Sequence, residues 1–261
     1  MNKMNHGDFS ILAKNYKYRP SYNSTLLDFI SNTVTPKNNK KYKVAEIGAG
    51  TGKLTKMLAE MGYLVFAIEP NNKMMYEGKK YTNRYKIKWS NGTAEKTGLG
   101  SKRFDWVIMA SSFHWTNPNL SLPEFHRILK PSGYFTVMWN PRNIQKSKLH
   151  TEIENIIHLE IPNLKRVSSG SRSKTKKWED ILVKTGHFKN VIYSEIAFEE
   201  EIIKEKYIGA WESVNDIRVQ AGEEKFKIIL EKIRRKIAHL NTLSVPYLNT
   251  CWTAQRVNDN A

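Results

Sequence analysis

The sequence predicts an α/β fold on a mostly parallel sheet, and three observations carry that prediction. From Lys43 to Asn140, apolar runs of strand length alternate with helix-like segments, the pattern of successive βαβ units. The first run ends in "VAEIGAGTGKLT", where Gly48, Gly50 and Gly52 form a bare turn before a helix start. The chain has 261 residues, enough for a full-sized core and one large domain with additions.

The elements follow in order. "FSILAKNYKYRPSYNSTLLDFISNT" has apolar and aromatic residues at helical spacing. Pro20 interrupts it, since its ring removes a backbone donor and restricts the preceding residue, so two short helices joined at "YRPSY" are expected. "KVAEIGA" is the first strand, "LTKMLAEMG" a helix closed by Gly62, and "LVFAIEP" the second strand. A helix near Lys73 to Lys80 precedes the short strand "IKWSNG". "FDWVIMA", the helix "LPEFHRILK" and "GYFTVMWN" complete five strands. Beyond them come a helix from Thr151 to Glu160, a polar basic loop "KRVSSGSRSKTKK" expected to be mobile, and a helix from Trp178 to Thr185 stopped by Gly186. The strand "NVIYSEIAF" follows. Residues 201–241 read as helical, with Phe226, Ile229, Leu230, Ile233, Ile237 and Leu240 on one stripe that is expected to cover a core rather than lie on a membrane. "VPYLNTCWTAQRV" is the last strand.

Composition narrows the function classes. Cys251 is the only cysteine, which excludes intrachain disulfides and cysteine-rich zinc sites. No run reaches the roughly 18 apolar residues of a membrane span, and "MNKMNHGDFS" lacks the apolar segment of a secretory signal, so a cytoplasmic protein is expected. The net charge of +17 raises the question of nucleic acid, but the excess lysines are scattered through the chain instead of forming a stripe.

The glycine turn excludes two phosphate ligands by spacing. A P-loop needs four residues between its glycines and Ser or Thr after the lysine, yet Gly48 is only four residues before Gly52, and Leu54 follows Lys53. A dinucleotide turn needs a third glycine where Lys53 stands, which leaves Lys53 as a helix-surface residue. Glu69 ends the second strand, where a carboxylate accepts hydrogen bonds from both hydroxyls of an unphosphorylated ribose.

Glu46 two residues before a GxGxG turn, then Glu69, resembles class I S-adenosylmethionine-dependent methyltransferases. The resemblance extends through "NGTAEKTG", "FDWVIMASSFHW" and "EFHRILKPSGYFTVMWN". The segments "AKNYKYRPSY" and "LSVPYLNTCWTAQRV" are similar to the ends of a type-11 subgroup that includes trans-aconitate methyltransferase-like proteins and small-molecule O-methyltransferases. Two positions depart from the family pattern. Glu46 replaces the commoner Asp and keeps its charge, and Thr93 stands where many members carry Asp beside the adenine.

The resemblance implies a Rossmann-like fold, with a mostly parallel seven-stranded sheet, helices on both faces and a helical cap. It implies an N-terminal cap over 1–40, a cofactor-binding core over 41–140, and a C-terminal part of the sheet over 141–261 with a helical lid at about 201–241. The implied cofactor is S-adenosylmethionine, with S-adenosylhomocysteine as product and no metal. Gly48, Ala49, Gly50 and Gly52 would approach its methionine and ribose parts, Glu46 its ammonium group, and Glu69 its ribose hydroxyls. Pro70, Asn71 and Met74 would line the adenine, Thr93, Ala94 and Glu95 its edge, and Ala110 and Ser111 would lie under the sulfonium. His114, at the end of the fourth strand, is the expected base or positioning residue. Tyr16, Tyr18, Arg19, Trp115, Trp139 and Arg142 are the expected substrate contacts, since aromatic walls with one or two cations hold a small anionic or aromatic acceptor.

Methyl transfer to an oxygen of a small molecule is therefore expected. A nucleic-acid methyltransferase is the first alternative, but "ASSFHW" is not the Asn-Pro-Pro-aromatic signature of enzymes acting on exocyclic amines, and Cys251 is misplaced for attack on a base. A non-catalytic cofactor-binding protein is the second, and the intact Glu46, glycine and Glu69 set argues against it.

Overall fold

The apolar runs become strands β1 (Lys43–Ile47), β2 (Leu64–Ile68), β3 (Lys88–Ser90), β4 (Phe104–Ala110), β5 (Leu129–Trp139), β6 (Phe188–Ile203) and β7 (Thr242–Arg256). The computed structural model describes residues 12–35, 42–166 and 177–259, so most of the expected mobile loop lies outside the described residues. All seven strands form one sheet in the order β3-β2-β1-β4-β5-β7-β6. β1 pairs in parallel with β2 and β4, β2 with β3, and β4 with β5, whereas β7 runs antiparallel to β5. The expected mostly parallel seven-stranded sheet is the one observed. Strand order reverses at β1, and in open α/β sheets the crevice beyond such a reversal is where ligands bind.

The chain divides into two compact units, one of Ser21–Trp139, Arg172–Ile196 and Asn249–Ala261, the other of Met1–Pro20, Asn140–Ser171 and Ala197–Leu248. In the first, the two-residue period of β4 and β5 sorts side chains onto opposite faces. Val107, Met109, Phe135, Val137 and Trp139 join one core with Leu122 and Phe125 of α5 (Pro118–Ile128) and with Trp178 and Leu182. Trp106, Ile108 and Met138 join the other, under Leu27 and Ile30 of α2 (Ser24–Val34) and Leu54 and Leu58 of α3 (Lys53–Glu60). Each fully buried Leu, Ile or Phe contributes about 1.5–3 kcal/mol through lost water contact. A polar ladder in that second layer is satisfied: Trp106 Nε1 donates to Thr136 Oγ1 at 2.9 Å, and Thr136 meets Thr253 at 2.9 Å.

β5 begins at Leu129, earlier than the expected "GYFTVMWN", and the helix before it ends at Ile128. Pro131 holds Lys130 extended, and pairing with β4 skips from Phe104–Leu129 to Trp106–Tyr134, so the intervening residues bulge out with Ser132 at φ 61°.

The second unit contains α1 (Ala13–Tyr16) and α6 (Lys148–Glu160). Residues 201–241 are not one helix there. Glu201 to Ile203 still belong to β6, and helices Lys204–Glu212, Asn215–Ala221 and Glu223–Lys236 follow. Gly222, at φ 76°, makes the second break because that conformation is open to glycine and ends an α-helix. The predicted stripe is otherwise as read: Phe226, Ile229, Leu230, Ile233 and Ile237 are buried with Ile153, Ile157, Tyr207 and Trp211, and Leu240 packs half-buried against them. Among the described residues no helix is long and apolar enough to cross a membrane.

Candidate functional site

β1 delivers its C-terminal end, and the glycine turn, to the strand-order reversal. Gly48, Gly50 and Gly52 all have positive φ, 71°, 57° and 79°, which side chains with a Cβ adopt at a cost. Close approach adds to this at Gly48, where a Cβ would lie 2.8 Å from Ser112 Oγ. The turn is closed by bonds from the Gly48 and Ala49 N–H groups to the Ile68 carbonyl, at 2.8 and 3.0 Å. Lys53 starts α3 with its ammonium over the Tyr81 ring at 5.9 Å, the surface position expected of it.

Two carboxylates flank the turn. Glu46 is buried and accepts from Thr55 Oγ1 at 2.5 Å. Burial pushes its carboxyl up to about 8, with the Glu69 charge adding to the rise and the Thr55 bond opposing it. Glu69 receives backbone N–H bonds on both oxygens, from Gly50 to Oε2 at 2.8 Å and from Asn71 to Oε1 at 2.9 Å. Burial raises its pKa too, against those two bonds. A carboxylate has about four lone-pair sites, so Glu69 is locked in orientation while each oxygen keeps acceptor capacity for a diol.

The segment after β2 is built by a cap. Asn71 Oδ1 accepts from the Lys73 and Met74 N–H groups and starts α4 (Asn72–Tyr81), which buries Met74 beside Gly50. Pro70 is exposed, its carbonyl held by Asn91 Nδ2 at 3.0 Å. After β3, Thr93 closes a tight turn with Lys96 and Ala94 is buried. Glu95 Oε1 accepts the Asn117 N–H at 2.9 Å, so this carboxylate supports the entrance of α5.

At the end of β4, Ala110 is half-buried and Ser111 has φ 53°, an uncommon conformation for serine. Tyr22 Oη donates to Ser111 Oγ at 3.0 Å. Trp139 Nε1 donates to His114 Nδ1 at 3.2 Å, which leaves the neutral imidazole with its proton on Nε2. The His114 ring lies 4.7 Å from that of Trp115, which is exposed, and Trp139 is buried against Trp178. Asn249, wholly buried, ties this end together: its Oδ1 accepts from the Asn23 N–H at 2.8 Å and its Nδ2 donates to the Trp139 carbonyl at 2.6 Å.

The structure thus brings Glu46, the glycines, Glu69, Ser111, His114, Trp115 and Trp139 into one unit, at the ends of β1, β2, β4 and β5. Tyr16, Tyr18, Arg19 and Arg142 belong to the other unit. Tyr18 packs on Gly209, where a Cβ would lie 2.4 Å from its ring, and Arg19 donates to the Ser213 hydroxyl at 2.6 Å and carbonyl at 2.9 Å, over the ring of Tyr16. Sequence reasoning missed Tyr22, Thr55, Ser112 and Asn249. Tyr22 closes the segment "AKNYKYRPSY" and was within reach; Asn249 acts through partners 110 and 226 residues away.

Residues 45–137 match the family of the methyltransferase domain. This part of the chain is a class I methyltransferase domain. An uncharacterized methyltransferase of Mycobacterium tuberculosis is 33% identical over 125 residues, covering 48% of each chain. A Saccharomyces cerevisiae protein named a probable S-adenosylmethionine-dependent methyltransferase is 30% identical over 137 residues, covering 48% of this chain and 46% of its own. The chain thus spans about half the length of the curated relatives it matches. Among solved structures, a candidate type II methyltransferase of Anaeromyxobacter dehalogenans shares the fold at a TM-score of 0.64 and 19% identity, covering 91% of this chain and 97% of that one. Phosphoethanolamine N-methyltransferase 2 of Haemonchus contortus, solved with phosphomonomethylethanolamine and S-adenosylhomocysteine, superposes at a TM-score of 0.56 and 12% identity, over 98% of this chain and 61% of that one.

The sheet continues past the matched residues, with β7 running antiparallel beside β5. Among the described residues no group of three or more His, Cys, Asp or Glu side chains is placed to hold a metal ion.

Proposed function

We propose that the protein binds S-adenosylmethionine in the methyltransferase domain and transfers its methyl group to an oxygen of a small-molecule acceptor. The observation that carries this reading is Glu69, fixed by two backbone N–H bonds with acceptor capacity left on both oxygens. The residues fit the cofactor elsewhere as well. Glu46 is a buried acid without a cationic partner among the described residues, suited to an ammonium group, and the positive φ at Gly48, with Ser112 Oγ 2.8 Å from where a Cβ would stand, keeps the turn bare. The bound cofactor would supply an already cationic methyl donor, and Met74, Asn71, Thr93, Ala94 and Glu95 would surround its base.

This chain's own task is then positioning. Holding an acceptor oxygen in line with a methyl group supplies roughly 7–11 kcal/mol without any base. With its proton on Nε2, His114 serves as a hydrogen-bond donor that orients the acceptor, backed by Trp139 and beside Trp115. The variant H114Q, which keeps a donor at that distance, is expected to retain most of kcat, and H114A to lose about tenfold, the worth of one positioning hydrogen bond. A His114 acting as base reverses this expectation, with H114Q as damaged as H114A and a kcat limb near neutral pH in the native protein.

The reading is tested by incubating the protein with methyl-labelled S-adenosylmethionine and an extract split into metabolite, nucleic-acid and protein fractions. Label is expected in the metabolite fraction. Label in the nucleic-acid fraction overturns the small-molecule acceptor, and label in none overturns turnover itself.

A further inference from the structure

The second unit carries a polar cluster that its own packing does not satisfy. Arg142 is half-buried, with its guanidinium over the Trp211 indole at 4.1 Å and over the Tyr207 ring at 5.3 Å. The ring of His150 meets that of Tyr207 edge-on at 5.7 Å, and Tyr207 meets Trp211 at 6.3 Å. Tyr207, His150 and Trp211 are at most 2% exposed. The Trp211 indole N–H meets the Tyr207 hydroxyl and Arg142 meets the Tyr247 hydroxyl, while Arg142 Nε and His150 Nε2 are buried with no hydrogen-bond partner among the described residues.

The arginine and indole nitrogens can only donate, and the Tyr207 hydroxyl, which accepts from the indole, keeps its own proton to give. His150 Nδ1 lies 2.8 Å from Ser147 Oγ, which also accepts the His150 backbone N–H at 3.4 Å, and in the tautomer with the ring proton on Nε2 that nitrogen is a further donor. Burial and the nearby Arg142 charge hold His150 neutral, its pKa pushed down to about 4.

The anions that would normally balance such a cluster are engaged elsewhere. Glu154 and Asp216 pair with Arg166, Glu200 pairs with Lys206, and Glu199 accepts from Ser244 Oγ at 2.5 Å. Among the described residues no carboxylate pairs with Arg142. Buried polar groups are paired in the great majority of folded proteins, and an unsatisfied one costs about 1–3 kcal/mol. A guanidinium with no carboxylate partner, beside the Tyr207 hydroxyl proton, is complementary to a negatively charged oxygen group.

We propose that Arg142, Tyr207, His150 and Trp211 form a binding site for the oxyanion of a small molecule, a carboxylate or a phosphate ester, within this unit. Arg142, expected from the sequence as a substrate contact, lies with the other three outside residues 45–137, so anion binding here is measurable without the cofactor.

Calorimetric titration of the full chain with succinate and with inorganic phosphate, at constant ionic strength and without cofactor, tests it. Saturable binding of at least one is expected, and the tighter of the two identifies the headgroup. Arg142→Gln and Tyr207→Phe should each weaken that binding about tenfold or more, the worth of one hydrogen bond to a charged group. A parallel titration with S-adenosylhomocysteine should be unchanged in both variants, so loss of that binding in the native chain counts against the proposed function and not against this site. No saturable binding of either anion overturns the proposal. So does a Tyr207→Phe chain that binds as well as the native one and melts at a higher temperature, the behaviour of a packing defect. Tyr207→Phe keeps the ring and its contacts, so the test stands even if Arg142→Gln does not fold.

Discussion

The two compact units solve opposite electrostatic problems. In the methyltransferase domain, two buried carboxylates stand at adjacent strand ends, and their partners are short-range: Thr55 for Glu46, the Gly50 and Asn71 N–H groups for Glu69. In the other unit a half-buried arginine faces three aromatic or imidazole donors, and the carboxylates nearby are held by other groups. The first arrangement is poor in positive charge and the second poor in negative charge. Each is suited to a ligand group of the opposite sign. The contrast also shows why one was legible early: strand-end carboxylates lie at fixed distances from a glycine turn, whereas the donor cluster is assembled from segments far apart in the chain.

The sharpest way to break the contrast is to remove the fixed carboxylate. Glu69→Ala deletes the acceptor for a ribose diol and frees two backbone N–H groups, and should cost about 3 kcal/mol or more of S-adenosylhomocysteine binding, over a hundredfold by calorimetry. Unchanged affinity would remove the diol role altogether.

Next in size is a pH effect. Burial raises the Glu46 carboxyl to about 8, so the free protein holds it protonated below that pH, while a ligand ammonium favours the carboxylate. Ligand binding then expels a proton, and affinity for S-adenosylhomocysteine should rise with pH by up to about tenfold per unit until near pH 8, then level. Glu46→Gln should flatten that slope. A slope that persists in the variant assigns the proton to another group.

A smaller effect separates two glycines. Gly48→Ala meets both a positive φ and Ser112 Oγ at 2.8 Å, and should lose about 2–3 kcal/mol in urea unfolding; Gly62→Ala has a φ of 88° but nothing within 4 Å, and should lose about 1 kcal/mol. Equal losses would show that φ alone governs the turn. The smallest effect belongs to Lys53→Ala, expected to change stability by less than about 0.5 kcal/mol and cofactor affinity not at all. A large loss of affinity would return a phosphate-binding role to this lysine.

Much of the domain's layout was readable without coordinates, for reasons visible in single residues. Val107 and Trp106 go to opposite faces because a strand has a period of two, and the glycine spacing alone excluded both phosphate turns. Residues 201–241 read as helical without their internal breaks, because the apolar stripe from Phe226 to Leu240 lies wholly beyond Gly222 and the break there is a backbone matter. Tyr18 and Arg19 carry the chemistry of a substrate contact, yet they hold Gly209 and Ser213, partners almost 200 residues away.

What the sequence determined by itself is local: strand and helix periods, the positive-φ turn, and the two acids at set distances from it, all consequences of backbone geometry over a few residues. What only the tertiary structure decided is which polar groups are left over. Whether Glu69 keeps free lone pairs, whether His114 carries its proton on Nε2, and whether Arg142 has a carboxylate partner each depend on neighbours brought in from distant segments. A hydrogen bond or a pKa is set by the few ångströms around an atom, and folding alone determines what fills them.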